Sequence, residues 1–501
     1  MSTSPLGAFT TISSVSHTEL LRRLPGFKSI PTSWEISPNL FPSAPTGTNC
    51  VSGPSANWPG RPARHRRPSR RCASLPYAPG MAASVRLAKN AAAVAIRSSQ
   101  FADGPLVTQT TDSGRHPALV WAESGLMGLT GPEHGPPALA SGRWVERLDG
   151  VVNDISELCG QRLRTNAAGF LGERAALVGR GRRGSVSVGG ACRMVAAADG
   201  VLAVSLARTS DSEAVPAWLE IGDLAGGDVW AELAAGVRDK PVAELLERAE
   251  WLGLAVGEAV RPPPPPEPCS LTDAGPAGSD RNLVLDVSSL WAGPLCGSLL
   301  GGFGFEVLKI EAPGRPDGAR YGSPAFYERL NQGKQDTVID LGSEDGRHRF
   351  MDLCGESAVV VDGLRPRVWA NWGIDRLEVA QNCGLVWVSI SGHGDGRAGF
   401  GDDAAVSGGL WLSDPDGGLP WFVGDAAADP VAGLVACRAA AEATAAGRAG
   451  LIEVPMSQAV SWVRDGDDLS APGAEVFRRG DHWVVRADDE EQIVLPPRAG
   501  G

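Results

Sequence analysis

The chain has 501 residues, of which 43% are hydrophobic and 21% charged, a composition typical of globular proteins and long enough for two or more domains. No apolar run reaches the roughly 18 residues that a membrane span needs, which excludes an integral membrane protein. The net charge of -12 is uneven, because residues 1–115 hold 13 Lys and Arg against 4 Asp and Glu, leaving 33 against 54 in the remainder. Residues 116–501 are therefore too acidic to favour a nucleic-acid-binding surface, since phosphate binding needs clustered cations.

The cysteines argue against extracellular chemistry. There are nine, an odd number, and none form a C-x-x-C pair. This spacing favours neither a disulfide framework nor a zinc site, and it is typical of a reducing cytoplasm. We therefore predict no metal site and a cytoplasmic location.

Residues 1–115 differ from the rest of the chain. Residues 61–71 form an Arg- and Pro-rich cluster without apolar periodicity, so this segment cannot bury enough surface to offset its ordering entropy. An organellar transit peptide and a nucleic-acid-binding arm both fit the basic charge. The basic cluster lies too deep in the chain for a transit peptide, so we favour a disordered extension, with one weakly helical stretch at 82–96.

The next 145 residues, 116–260, are predicted to be a small α+β domain. Helical spacing of apolar positions occurs at 144–158 and 240–254. Residues 193–206 predict a β-hairpin, because two apolar runs flank an Asp-Gly turn at 199–200. The Pro-rich segment that follows predicts a linker over 261–280.

Beyond the linker, apolar strands alternate with short helices, which predicts a doubly wound parallel sheet in a large domain over 281–465. The predicted strands are 283–287, 306–310, 337–339, 358–361 and 385–390, and the predicted helices are 294–303, 344–353 and 368–380. Residues 466–501 are predicted to form a C-terminal tail with a possible hairpin.

Three polar loops follow the helices and strands of this sheet, at 331–334, 362–367 and 391–396. Open α/β sheets bind ligands at the carboxyl ends of their strands. Each loop alone fits an ordinary surface loop, but together they bring Lys334, Arg365 and Arg367 to one edge of an acidic domain. This reversal of charge favours an anionic ligand.

Asp402 and Asp403 stand together before a run of small residues. One interpretation is a helix cap, for which Asp is well suited. The other is a nucleophilic carboxylate, because a helix N-terminus stabilises the ionised form. The P-loop and the G-x-S-x-G nucleophile elbow are absent from the sequence, and no G-x-G-x-x-G follows the first predicted strand.

Taken in order, these segments resemble the class III (CaiB/BaiF-type) CoA-transferases. Residues 299–313 are similar to the family's LADLGADVIKVEPP stretch, residues 331–334 to NRNK, 361–366 to VENFRP and 388–394 to SISGFG. Residues 124–131 resemble the segment that normally follows the family's catalytic Asp, and the 193–206 hairpin is similar to the TADGWVAVA hairpin of the family's small domain, which here precedes the large domain. The resemblance therefore implies a rearranged, permuted-like domain order.

The resemblance implies transfer of CoA from an acyl-CoA thioester to a free carboxylic acid through an aspartyl intermediate. It assigns the nucleophile to Asp403, or to Asp402 if the following stretch is shortened. It implies CoA contacts at Leu290, Trp291, Ala292, Gln332, Gly333, Lys334, Gly363, Leu364 and Arg365. It also implies a homodimer with no cofactor beyond the CoA substrate, and no nucleic-acid or membrane partner.

Several positions depart from the family pattern. Ala312 and Asn371 stand where members often carry a basic residue, and Trp291 stands where a formyl-CoA transferase has Gln. These departures predict weaker phosphate contacts and argue against a small oxalate-like acid. Two alternatives stay open, an acyl-CoA racemase of the same fold and a non-catalytic CoA-binding protein. The racemase is disfavoured because no His directly precedes Asp402 or Asp403.

Overall fold

The structure is a computed structural model that describes residues 101–102, 114–222, 228–279, 281–394 and 396–499. The predicted disordered extension, with its helical stretch at 82–96, lies almost entirely outside the described residues.

The first described part is a helical layer. It comprises α1 (Pro117–Glu123), α2 (Arg143–Cys159), α3 (Ala167–Val178) and a short strand pair, β1 (Phe101–Ala102) with β2 (Arg162–Leu163). α2 ends at Gly160, whose positive φ of 69° closes the last turn, and its apolar face is buried. The helix predicted at 144–158 is confirmed.

A small antiparallel sheet follows, in the order β3-β4-β5, from β3 (Cys192–Ala196), β4 (Val201–Ser205) and β5 (Ala255–Glu258). Between its last two strands lie α4 (Thr209–Leu219), α5 (Val229–Val237) and α6 (Val242–Leu252). The predicted hairpin is confirmed, and the predicted helix at 240–254 is α6. This sheet and its helices share one apolar core that includes Leu202, Trp218 and Leu245.

A seven-stranded sheet forms the centre of the molecule, in the order β6-β14-β11-β10-β7-β8-β9. All its neighbouring strands are parallel except β6, which pairs antiparallel with β14. Its strands are β6 (Ser270–Pro276), β7 (Leu283–Asp286), β8 (Glu306–Glu311), β9 (Gln335–Val338), β10 (Ser357–Asp362), β11 (Val386–Ser391) and β14 (Arg448–Pro455). A separate two-stranded sheet, β12 (Trp411–Leu412) with β13 (Trp421–Phe422), lies between β11 and β14 in the chain. The predicted doubly wound sheet is confirmed, and β6 lies within the segment predicted as a linker.

Helices cover both faces of this sheet, as continuous apolar strands require. They are α7 (Ala292–Gly302), α8 (Ala319–Gly322), α9 (Pro324–Asn331), α10 (Glu344–Glu356), α11 (Pro366–Asn371), α12 (Arg376–Cys383), α13 (Gly401–Ser407), α14 (Ala428–Ala445) and α15 (Met456–Arg464). One apolar core joins α7, α14 and α15 to the N-terminal helical layer. A second core lies on the other face and is centred on Phe350, Trp369 and Trp387, whose ring centroids are 4.9 to 6.1 Å apart.

The prediction of one helix near 368–380 is wrong. The segment forms two helices, α11 and α12, because Gly373 has a φ of +72° and Asp375 caps the second helix by accepting from the backbone N–H groups of Leu377 and Glu378.

The C-terminal segment forms an antiparallel sheet of β15 (Ala474–Arg479), β16 (His482–Ala487) and β17 (Glu490–Ile493), one strand more than the possible hairpin. The predicted domain boundaries remain predictions. Within the described residues, no helix combines the length and apolarity that crossing a membrane requires. The seven cysteines in the same part of the chain are free.

Candidate active site

Asp403 lies at the start of α13, where the helix meets the small sheet. Its side chain is 0% exposed, and its Oδ1 atom accepts the backbone N–H of Phe400 at 2.9 Å. This bond closes the first turn of the helix, so Asp403 sits at the third helical position and not at the cap itself. Asp403 therefore closes the first turn of the helix and also places a carboxyl group at its N-terminus, so the two interpretations do not exclude each other.

Two further donors reach this carboxylate from separate elements. Ser205, at the end of β4, donates its hydroxyl to Oδ1 at 2.8 Å. The Nε2 atom of His393, in the loop after β11, lies 3.3 Å from Oδ2. Ser205 and His393 are each 2% exposed. A backbone N–H, a hydroxyl and an imidazole nitrogen thus surround one buried carboxylate and fix its orientation.

Glycines allow the backbone to close around Asp403. A Cβ atom on Gly257, in β5, would overlap the carbonyl oxygen of Asp403. A Cβ atom on Gly399 would lie 3.1 Å from Nε2 of His393 and 3.2 Å from Oδ2 of Asp403, tighter than ordinary contact. The small sheet therefore packs directly against the backbone of Asp403 at a position where only glycine fits.

Asp402 points to a different environment. Its Oδ1 atom accepts the backbone N–H of Ala426 at 2.9 Å. Burial raises the pKa of Asp402 to about 6, Arg174 opposes the rise, and Asp425 adds to it. Burial likewise raises the pKa of Asp429 to about 7, again against the pull of Arg174. Three carboxyl groups thus share one guanidinium.

Arg174 contacts both Asp425 of this group and Trp291, one of the predicted CoA contacts. Its Nε donates to Oδ2 of Asp425 at 2.9 Å and its Nη2 bonds Oδ1, a two-pronged ion pair in which Asp425 is buried. The same guanidinium lies 5.0 Å from the ring centroid of Trp291, a cation–π contact. Trp291 is 1% exposed, and its indole N–H has no hydrogen-bond partner among the described residues.

Three arginines, Arg208, Arg365 and Arg367, lie close together around Gly253. Arg208 lies over the Phe400 ring at 5.4 Å and donates to the carbonyl oxygen of Gly253 at 3.0 Å. A Cβ atom on Gly253 would overlap Arg365 and would lie 3.2 Å from Nη2 of Arg367. Burial, followed by repulsion from Arg367 and Arg208, lowers the pKa of Arg365. Asp211 balances only part of this charge, through its 2.7 Å ion pair with Arg208.

Lys334 takes part in a buried network. Its ammonium donates to Asp286 at 2.8 Å, to the carbonyl oxygen of Pro294 at 2.7 Å and to Asn331 at 3.0 Å, and its side chain is 1% exposed. Burial lowers the pKa of Lys334 to about 8. Burial works against the charge of Asp286, but Lys309 and Lys334 outweigh it and lower its pKa to about 2. The structure places Lys334 beneath α7, with its three protons occupied by protein acceptors.

The remaining predicted CoA contacts are spread over several loops and one helix start of the large sheet. Leu290 has a φ of +70° and is 38% exposed, and its N–H donates to Asp317. Gly363 is exposed, and a Cβ atom there would lie 3.8 Å from Ser288, so the loops after β7 and β10 face each other. The other members of the predicted set are at the start of α7 (Ala292), between α9 and β9 (Gln332, Gly333) and after β10 (Leu364).

The sequence prediction missed three residues of this site. Arg174 carries no motif, and Ser205 lies in the predicted 193–206 hairpin without having been assigned a role, so only the fold brings them to Asp402 and Asp403. His393 lies in the segment compared with SISGFG, at the position of the family's Phe. That exchange of an aromatic for a titratable side chain was the one available signal.

Comparison with known proteins agrees with this architecture. Residues 282–482 match the model of CoA-transferase family III. That segment carries the strands of the parallel sheet from β7 onward, together with Asp402 and Asp403.

Individual relatives share part of the chain. A succinyl-CoA–D-citramalate CoA-transferase of Chloroflexus aurantiacus is 29% identical over 203 residues, 37% of this chain and 50% of the relative. The alpha subunit of a succinyl-CoA–L-malate CoA-transferase from Chloroflexus aurantiacus is 31% identical over 272 residues, 48% of this chain and 63% of the relative. The chain therefore spans between half and two thirds of these two relatives. A CAIB/BAIF family protein from Brucella suis, known from its crystal structure, is 22% identical with a TM-score of 0.37, covering 42% of this chain and 66% of that one.

Proposed function

We propose that this protein is a CoA-transferase that moves CoA from an acyl-CoA thioester to a free carboxylic acid, with Asp403 as the covalent nucleophile. The observation that carries the proposal is the buried Asp403 carboxylate with its three donors, inside the segment that matches the family. The exchange converts one thioester and carboxylate into another of similar energy, so it calls for no cofactor beyond the CoA substrate.

In the proposed reaction, a carboxylate oxygen of Asp403 attacks the thioester carbonyl carbon, and the carbon–sulfur bond breaks to release CoA thiolate. The thiolate then attacks Cγ of Asp403 and displaces the first acid, leaving an aspartyl-CoA thioester. A second carboxylate reverses these two steps and leaves as the new acyl-CoA. The enzyme ends with a free carboxylate, so atoms and charge balance.

Asp403 suits the nucleophilic role better than Asp402 on electrostatic grounds. Two close hydrogen bonds and a third, longer contact orient the Asp403 carboxyl group at a helix N-terminus. Asp402 instead has its pKa raised to about 6 by burial and neighbouring carboxyl groups, which favours its protonated, unreactive form. Because Asp403 is 0% exposed, a thioester reaches it only when the surrounding side chains or loops shift.

The three arginines around Gly253 support binding of the phosphates of CoA. Their charges exceed that of Asp211, and Arg208 contacts Phe400, which directly bonds Asp403. Clustered guanidinium groups bind phosphate oxygens in pairs. Arg208 and Arg367 thus supply positive charge that Ala312 and Asn371 lack. Part of this cluster also serves the fold, because cations suit the carboxyl end of α6.

The test is intact-protein mass spectrometry of the full chain after mixing with succinyl-CoA or acetyl-CoA. A covalent gain of the mass of CoA less one water, lost in Asp403→Asn and kept in Asp402→Asn, is expected. Acylation of a cysteine would add the mass of the acyl group instead, so the size of the adduct identifies the chemistry. Burial, with Asp402 and Asp403 nearby, raises the pKa of Cys192, the thiol near this site, so it stays protonated.

Three other outcomes would change the proposal. Loss of the adduct in Asp402→Asn alone would move the nucleophile to that residue. CoA binding measured by calorimetry without any adduct from either thioester would favour the non-catalytic CoA-binding alternative. Loss of α-deuterium from a 2-methylacyl-CoA without transfer would favour the racemase.

A further inference from the structure

Trp251 presents an aromatic ring to solvent in the last turn of α6. Its side chain is 68% exposed, and among the described residues no ring or cation packs on the indole. Trp218, which contacts the same helix, is buried and donates its indole N–H to the carbonyl oxygen of Leu245. Trp251 therefore adds little to the apolar core of the small sheet, and a flat apolar face stays open to a ligand.

An arginine cluster lies next to this ring and consists of Arg208, Arg365 and Arg367. All three approach Gly253, which follows Trp251 by two residues. Arg208 pairs with Asp211 at 2.7 Å, whereas neither of the other two arginines forms an ion pair within the described residues. The cluster therefore keeps excess positive charge beside an exposed aromatic ring, which favours a ligand that carries both an anionic group and a flat ring.

The loop after β10 connects this cluster to the predicted CoA contacts. Gly363, near its start, has its Cβ position 3.8 Å from the Cβ atom of Ser288, in the loop after β7. Arg365, two residues further along, reaches Gly253 at the end of α6. An elongated ligand that starts in the loop after β7 and follows the loop after β10 thus reaches Trp251 with its distal end.

We propose that Trp251 and the arginine cluster bind the nucleotide end of the acyl-CoA, with the adenine ring stacked on the indole and the 3′-phosphate held by Arg365 and Arg367. This inference rests on the proposed function for the identity of the ligand, and it involves no group of the reacting centre. CoA carries its adenine and its 3′-phosphate on one ribose, at the end opposite the thiol, so both groups reach neighbouring side chains together. Bases stack on indole rings, and guanidinium groups bind phosphate oxygens in pairs.

The members of the cluster differ in what they do for the fold. Arg208 donates to the carbonyl oxygen of Gly253 and pairs with the buried Asp211 at the start of α4, so its replacement would disturb local structure. Arg367 is exposed, with Nη2 3.2 Å from the Cβ position of Gly253. Replacement of Trp251 or Arg367 removes ligand contacts without opening the core, so these two residues are the ones to test.

The experiment measures binding of CoA, dephospho-CoA and adenosine 3′,5′-bisphosphate to the full chain by calorimetry. Trp251→Ala is expected to raise the Kd for CoA about tenfold, because it removes the stacking surface, whereas Trp251→Phe keeps a ring and most of the affinity. Arg367→Ala is expected to raise the Kd for CoA and for the bisphosphate about tenfold and to leave the Kd for dephospho-CoA unchanged. Arg479→Ala, on the C-terminal sheet, is the control and should bind all three ligands as wild type does.

The fluorescence of Trp251 gives a second readout. Stacked adenine quenches indole emission, so CoA and the bisphosphate are expected to quench wild type more strongly than Trp251→Phe. Equal quenching in these two proteins would contradict stacking on Trp251.

The outcomes separate this inference from the proposed function. Wild-type affinity for CoA in both Trp251→Ala and Arg367→Ala would overturn the inference and leave the proposed function standing. The expected losses of affinity without any CoA adduct would support the inference and overturn the proposed function. ATP that binds as tightly as CoA, with the same loss in Trp251→Ala, would overturn the assignment of the site to CoA. Absence of CoA binding in wild type would overturn both.

Discussion

Arg174 offsets the charge of the buried Asp425 and of the half-buried Asp402 and Asp429, so its replacement should be costly. In Arg174→Met the side-chain volume is nearly kept, but Asp425 loses both hydrogen bonds of its ion pair. Removing one partner of a buried pair costs about 3 to 5 kcal/mol of unfolding free energy. Asp402 and Asp429 lose the same counter-charge, so their pKa values rise above the present values of about 6 and about 7.

The loss of unfolding free energy in Arg174→Met should be larger at high pH than at low pH. Carboxyl groups whose pKa is raised by folding add stability below their unfolded pKa and lose it as pH rises through the folded value. In Arg174→Met the folded-state pKa values of Asp402 and Asp429 are higher, so keeping these groups ionised at pH 8 costs more. The destabilisation is therefore expected to be about 3 to 5 kcal/mol at pH 8 and about 1 to 2 kcal/mol at pH 5. The unfolding free energy is measured by urea titration at both pH values.

A matched replacement provides the control. Arg479→Met removes an exposed ion pair with Glu491 on the C-terminal sheet and should leave the urea midpoint unchanged at either pH. An equal loss for Arg174→Met at pH 5 and pH 8, or a loss below about 1 kcal/mol at pH 8, would refute the shared-cation account of this cluster.

Three other replacements test the site. Gly257→Val pushes β5 away from α13 and should abolish the CoA adduct. The control Gly222→Ala, at a position with open space, should leave the adduct unchanged. A normal adduct in Gly257→Val would contradict the close packing of β5 against α13. Arg365→Ala should raise KM for acyl-CoA about tenfold and weaken its salt dependence, with the exposed Arg238→Ala as control; an unchanged KM would remove Arg365 from the CoA site. Lys334→Met leaves the buried Asp286 with Lys309, 3.9 Å away, as its remaining cation and should cost about 3 kcal/mol in urea titrations; a stable variant would contradict the network.

The repetitive part of the fold could be predicted from the sequence because its signals are local. Continuous apolar strands such as 283–286 and the Asp-Gly turn at 199–200 determine β7 and the small hairpin without reference to distant residues. The break between α11 and α12 was missed because Gly373 adopts a left-handed conformation that apolar spacing does not reveal. β6 was missed because it is polar and lies at the sheet edge.

The candidate site could be predicted only in part. Asp402, Asp403 and the arginine-bearing loop after β10 stood out because family-like motifs surround them. Ser205 and Arg174 lie 198 and 251 residues from their aspartate partners, so no local pattern links them. Lys334 looked like a ligand-binding cation, but its neighbours Asp286 and Asn331 engage it below α7. The partner of a charge depends on tertiary packing, which spacing along the chain does not encode.

The most direct test of the central claim is isotope exchange between a free acid and its own CoA thioester. Succinyl-CoA with labelled succinate is the first pair to use, because relatives of this chain are named for succinyl-CoA. A transferase that forms aspartyl-CoA moves label into the thioester without a second acid, so wild type is expected to catalyse exchange and Asp403→Asn is not. Exchange that persists in Asp403→Asn, or its absence in wild type with both succinyl-CoA and acetyl-CoA, would contradict the account.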